Sequence, residues 1–175
     1  MKLSDIILEK PIIENEFAQI AAAIEDELEG EIKDQPVKEA VGVLSIISYV
    51  LLSNAVAGLM AKLVKRIAAK QGWEKTEDVA KKVYDWAHAN EKAFMAPIER
   101  VLSRFMIGPT KKYIPAVTKG LYAIFIFMLA GHYGGEAVSG LKNSQWGASL
   151  ANTIKSMIKG TEVHTLFQQV VSDLS

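Results

Sequence analysis

Three histidines and no cysteine leave this 175-residue chain few groups able to do chemistry at neutral pH. His132 and Glu136 are four apart, the spacing that puts two side chains on one side of a helix, where an imidazole and a carboxylate can share a metal. Two ligands do not complete a site, and neither HExxH nor a second E-x-x-H supplies the rest. If that segment crosses a bilayer, the pair becomes a polar pathway or an inter-helix contact, because ionisable groups are costly there. Asp85, His88 and Glu91 recur every three residues, which turns them by about 60° around a helix and makes a solvated face the default. His164 stands near a helix start and reads as a surface residue. There is no GxSxG, no GxxxxGK[ST] and no GxGxxG, so nucleophilic and phosphate-loop chemistry have no motif to rest on. The expectation is a non-enzymatic protein with no metal, no cofactor and no small-molecule substrate.

Half of the residues are apolar, and 20 bases balance 20 acids. That composition excludes a disordered polyelectrolyte and gives no whole-chain reason for nucleic-acid binding. Zero net charge conceals a division along the chain. Residues 1–40 carry 11 acids and four Lys, whereas residues 62–119 carry 13 bases and six acids. Either the acidic arm lies against the basic middle in one folded unit, or the basic segment stays on the cytoplasmic side of a membrane. Lys62, Lys65, Arg66, Lys111 and Lys112 are the bases expected to meet lipid headgroups or a partner. Aromatic residues are not interleaved with them, so base stacking is not expected.

Helical spacing dominates and alternating strand patterns are absent. Ile13, Phe17, Ile20, Ile24 and Leu28 form one stripe, and the spacing predicts a helix over 11–29 with Pro11 in its first turn and Gly30 as its stop. Pro36 opens a second, predicted to run through Lys70 to a stop at Gly72. Thr76 caps a third, with Val79, Val83, Trp86 and Phe94 inward; Pro97 starts a short fourth with Ile98, Val101, Leu102 and Phe105 on one face. A long helix is expected over 110–141. Asn143-Ser144 begins another, with Trp146, Leu150, Ile154 and Ile158, and Thr161 caps a last one. The organisation is thus one α-helical domain over 1–175: an acidic arm (1–35), an apolar then basic helix (36–70), basic amphipathic helices (71–109), an apolar helix (110–141) and two amphipathic helices (142–175).

Two apolar stretches decide the class. Ala40 to Ala61 holds 22 residues without a charge. As one helix it would be ~33 Å long, enough for a hydrocarbon core of ~30 Å. Tyr113 to Gly135 holds 23 residues with Lys119 as the one charge, and that Lys lies near an end, where it can snorkel. Gly131, Gly135 and Ser139 recur every four residues and form a small-residue ridge suited to close helix packing; Asn54 would seek a partner helix. Met1 to Lys10 carries Asp5 and Glu9 and does not read as a secretory signal.

The opening Met1-Lys2-Leu3-Ser4-Asp5-Ile6-Ile7-Leu8-Glu9-Lys10 resembles the N-termini of many uncharacterised proteins of large tailed phages. The resemblance covers ten residues and carries no functional motif. It implies either a holin-like or channel-like membrane protein or a virion component.

The fold class expected is all-α, six to seven helices with apolar central helices at about 40–61 and 113–135. Three readings follow. In the first, the protein is membrane-associated and self-associates through its apolar helices, making or gating a pore, with 62–112 cytoplasmic. In the second it is a cytoplasmic or virion bundle with those helices as its core, and in the third a bundle that opens to insert them.

Overall fold

The computed structural model describes residues 3–31, 53–74 and 78–158. Among them are six α-helices and no strand: α1 (Leu3–Glu31), α2 (Asn54–Gln71), α3 (Val79–Phe105), α4 (Ile114–His132), α5 (Gly135–Asn143) and α6 (Gln145–Ile158). A 3₁₀ turn over Gly108–Tyr113 joins α3 to α4. The all-α architecture is the expected one.

Helix α1 buries the predicted stripe of Ile13, Phe17, Ile20, Ile24 and Leu28. It begins at Leu3, ahead of Pro11, and continues through Gly30 to Glu31. Helix α2 is bounded by local chemistry at both ends. The Ser53 side chain accepts the Val56 amide at 3.2 Å, and Gly72 adopts a left-handed φ of 62° while its amide reaches the Ala68 carbonyl. The single helix expected over 36–70 is therefore divided at Ser53. A short polar residue that caps its own chain competes with helix continuation, and hydropathy alone does not report that competition. Residues 40–52, the first part of the predicted apolar span, lie outside the described residues.

Pro97 does not start a helix. It lies inside α3, which runs unbroken from Val79 to Phe105. Phe94 precedes it and Ile98, Val101 and Leu102 follow it, all buried, so burial on both sides outweighs the one backbone hydrogen bond that proline removes. Asp78 occupies the N-cap position. Thr76, the expected cap, lies outside the described residues.

The helix expected over 110–141 is divided at Gly134, whose φ of 109° and ψ of 177° belong to a region that only glycine enters cheaply. The apolar helix is thus Ile114–His132, and the chain turns into α5 at Gly135. Ser144 then starts α6: its hydroxyl donates to the Leu141 carbonyl at 2.7 Å and accepts the Gly147 amide at 3.0 Å. The last predicted helix, from Thr161, lies outside the described residues.

Helix α4 is the hub, packed against α2, α3, α5 and α6, while α1 covers α2 and α3. Phe17 meets Phe94 edge-on at 5.2 Å, and Glu25 pairs with Arg104, so α1 and α3 run in the same direction. Tyr122 donates its hydroxyl to the Ala87 carbonyl, and its ring lies 4.8 Å from that of Phe94. Phe125 stacks on Phe94 at 5.8 Å. This aromatic knot joins α1, α3 and α4 at the centre of the core. The buried Thr118 hydroxyl donates to the Ile114 carbonyl and leaves no unmet donor there.

Candidate functional site

The break at Gly134 separates the residues that sequence spacing placed together. His132 ends α4 and Glu136 belongs to the first turn of α5; both are exposed. They no longer share a helical face, so the four-residue spacing gives no metal pair. Gly131, Gly135 and Ser139 do not form one ridge either, because Gly131 is on α4 and the other two are on α5, with Ser139 exposed. Asn54 is exposed at the first position of α2. Among the described residues no three His, Asp or Glu side chains are grouped to hold a metal.

Lys62, Lys65, Arg66, Lys111 and Lys112 are all exposed. Arg66 pairs with Glu16 of α1, and Arg104 pairs with Glu25 and lies 4.0 Å from Glu29. The acidic arm therefore lies against basic helices within one unit. Sequence reading held this open beside the membrane alternative.

Of the His88 set, Asp85 pairs with Lys81 at 2.7 Å and raises the pKa of that ammonium above its ordinary value, chiefly by the hydrogen bond. The His88 ring lies 4.6 Å from Trp146 at a tilt of 38°, and Tyr84 meets Trp146 edge-on at 5.2 Å. These three rings fasten α6 to α3. Helical periodicity placed Tyr84 and His88 one turn apart, but only the tertiary fold brings Trp146 onto them. Tyr133 packs 5.8 Å from Trp73, and its buried hydroxyl has no hydrogen-bond partner among the described residues. Burial raises the pKa of that phenol.

A cleft of about 580 Å³ lies between α1 and α3. Its floor is made of Ala18, Ala89, Ala93, Ala96 and Pro97; Glu14 stands on the α1 side and Lys92 and Arg100 on the α3 side. Along α1 the exposed residues Glu14, Ala18, Ala22 and Asp26 recur every four. Along α3 the exposed residues are Ala89, Lys92, Ala96 and Arg100. Glu14, Asp26, Lys92 and Arg100 enter no ion pair among the described residues, unlike Glu16 and Glu25 on the same arm. Pro97 has no amide hydrogen, so the Ala93 carbonyl at the cleft floor loses its usual helical donor. Sequence reading overlooked the cleft. The one available signal was the four-residue recurrence of alanine between charges on each helix.

Among the described residues the geometry offers an open cleft between α1 and α3 and exposed charged faces. Comparison of the chain with family models, with characterised proteins and with solved structures returned no match.

Proposed function

We infer that this chain is a non-enzymatic helical bundle that acts through protein association in water, as a structural or interaction protein of the cytoplasm or of a virion. The observation that carries this reading is the setting of α4. It is the one described helix long and apolar enough to cross a membrane, with a mean hydropathy of 1.7, yet 67% of its apolar window is buried by the other helices. Tyr122, Phe125 and Phe127 are all sealed inside. A helix apolar on every side is a bundle core or a span, and here the sheath is supplied by the chain itself.

The rival reading is a membrane-associated, pore-forming or holin-like protein. It is favoured by the composition of α4 itself, whose 19 residues would reach ~28 Å. It requires α4 to leave its sheath. Fractionation with an alkaline carbonate wash separates the two. The bundle reading expects a monodisperse protein in the detergent-free supernatant. Retention in the washed membranes, with detergent needed for release, would overturn it and favour insertion.

A further inference from the structure

We propose that the α1–α3 cleft is a homodimer interface, in which the acidic edge of one copy lies on the basic edge of another. The proposal rests on the bundle reading, since the cleft exists only while α1 is docked on α3.

The argument begins with register. Phe17 lies against Phe94, and the two helices run in the same direction with equal rise per residue. Glu14 is therefore level with Lys92, and Asp26 is within about a turn of Arg100. Glu14 stands on one edge of the cleft and Lys92 and Arg100 on the other, with small apolar residues between, and Asp26 is exposed further along α1, beyond the cleft lining. A two-fold axis parallel to the helices, lying in the face of the cleft, lays α1 of each copy over α3 of the other. It keeps axial levels unchanged. Glu14 then faces Lys92 of the second copy and Asp26 faces its Arg100, and the symmetry repeats both contacts. An isologous contact needs a surface complementary to itself, and this one is.

The internal pairing of the arm gives the same indication. The acids of α1 that face other helices are already matched, Glu16 by Arg66 and Glu25 by Arg104. Glu14, Lys92 and Arg100 line the cleft without an ion pair among the described residues, and the two-fold axis brings the acid of one copy to the bases of the other. The alanine floor lets two helical layers approach closely.

Sedimentation velocity of the full chain over a range of concentrations tests the interface. The expected result is a monomer–dimer equilibrium that weakens at about 1 M salt, where the screening length is ~3 Å. The acid reversal Glu14→Lys with Asp26→Lys should raise the dimer dissociation constant roughly tenfold or more, and so should the base reversal Lys92→Glu with Arg100→Glu. All four residues are exposed. Circular dichroism should therefore show native helix content in each variant. The decisive variant combines the two reversals, which restores opposite charges across the two-fold axis and should restore the dimer. A monomer at every concentration overturns the proposal, as does a dimer indifferent to both reversals or a dimer that the combined variant fails to restore. A detergent-free monomer overturns the dimer alone, whereas a protein extractable only in detergent overturns the bundle reading with it.

Discussion

Tyr122 shows how one polar atom is accommodated in an apolar core. Its ring is fully buried among Phe94 and Phe125, and its hydroxyl is satisfied by the Ala87 carbonyl. Tyr122→Phe removes that bond while keeping the ring, so an expected loss of about 1 kcal/mol should appear in urea unfolding. Burial also pushes the phenol pKa above its ordinary value of 10.0. Below pH 10 both folded and unfolded chains keep the proton; above it the unfolded chain releases it and the folded one does not. Stability tied to this group is therefore complete below pH 10 and falls as pH rises beyond it. Tyr133 contributes with the same sign. Urea midpoints measured across the alkaline range should fall less steeply for Tyr122→Phe than for the parent chain. Gly134 is the second informative residue. A Cβ there would meet nothing within 4 Å, so the cost of Gly134→Ala comes from its φ of 109° alone. Thermal unfolding should show a loss of about 1–3 kcal/mol.

Elements are joined here by close approach as much as by burial. At the contact of α5 with α3, a Cβ on Gly140 would lie 2.6 Å from the Ala80 Cβ. Gly140→Ala should destabilise by about 1–3 kcal/mol through overpacking. Ala80→Gly in the same chain should recover part of that loss, and a double-mutant cycle by urea unfolding reads the coupling. Gly147 is tighter still, since a Cβ would come 1.9 Å from the Leu141 carbonyl oxygen. The ion pairs that hold α1 to its neighbours are of another kind. Arg66 and Arg104 are 65% and 61% exposed, so each pair contributes about 0–1 kcal/mol. The apolar stripe from Ile13 to Leu28 carries the attachment, and the charges set its orientation. Phe17→Ala should cost about 3–5 kcal/mol, against less than about 1 kcal/mol for Glu16→Ala.

At the scale of the whole molecule the apolar α4 is enclosed by four helices, with α1 completing the layer over α2 and α3. The folded protein should therefore leave the fluorescence of a hydrophobic dye at its level in buffer, and brightening should coincide with loss of near-ultraviolet circular dichroism on unfolding. Bright dye binding by the native protein would show that α4 is open to solvent. The inward residues were legible because helical periodicity is local: Phe17, Val83, Phe94 and Leu102 are each buried, as their spacing predicts. The breaks at Ser53 and Gly134 were not, because both occur inside apolar runs where hydropathy carries no signal. The continuation through Pro97 was not legible either, because it depends on burial on both sides of the proline.

The sequence by itself determined that the chain is helical, which face of each helix is apolar, and that acids precede bases. These follow from spacing and composition, which are properties of the chain alone. Only the tertiary structure decided whether an apolar stretch finds its cover within the molecule, since that depends on helices distant in sequence meeting around α4. It also parted His132 from Glu136, because one backbone angle at Gly134 redirects everything after it. The pairing of Arg66 with Glu16 and the cleft between α1 and α3 belong to the same category. Each depends on two helices lying side by side in a fixed register, and no local pattern in the sequence specifies that register.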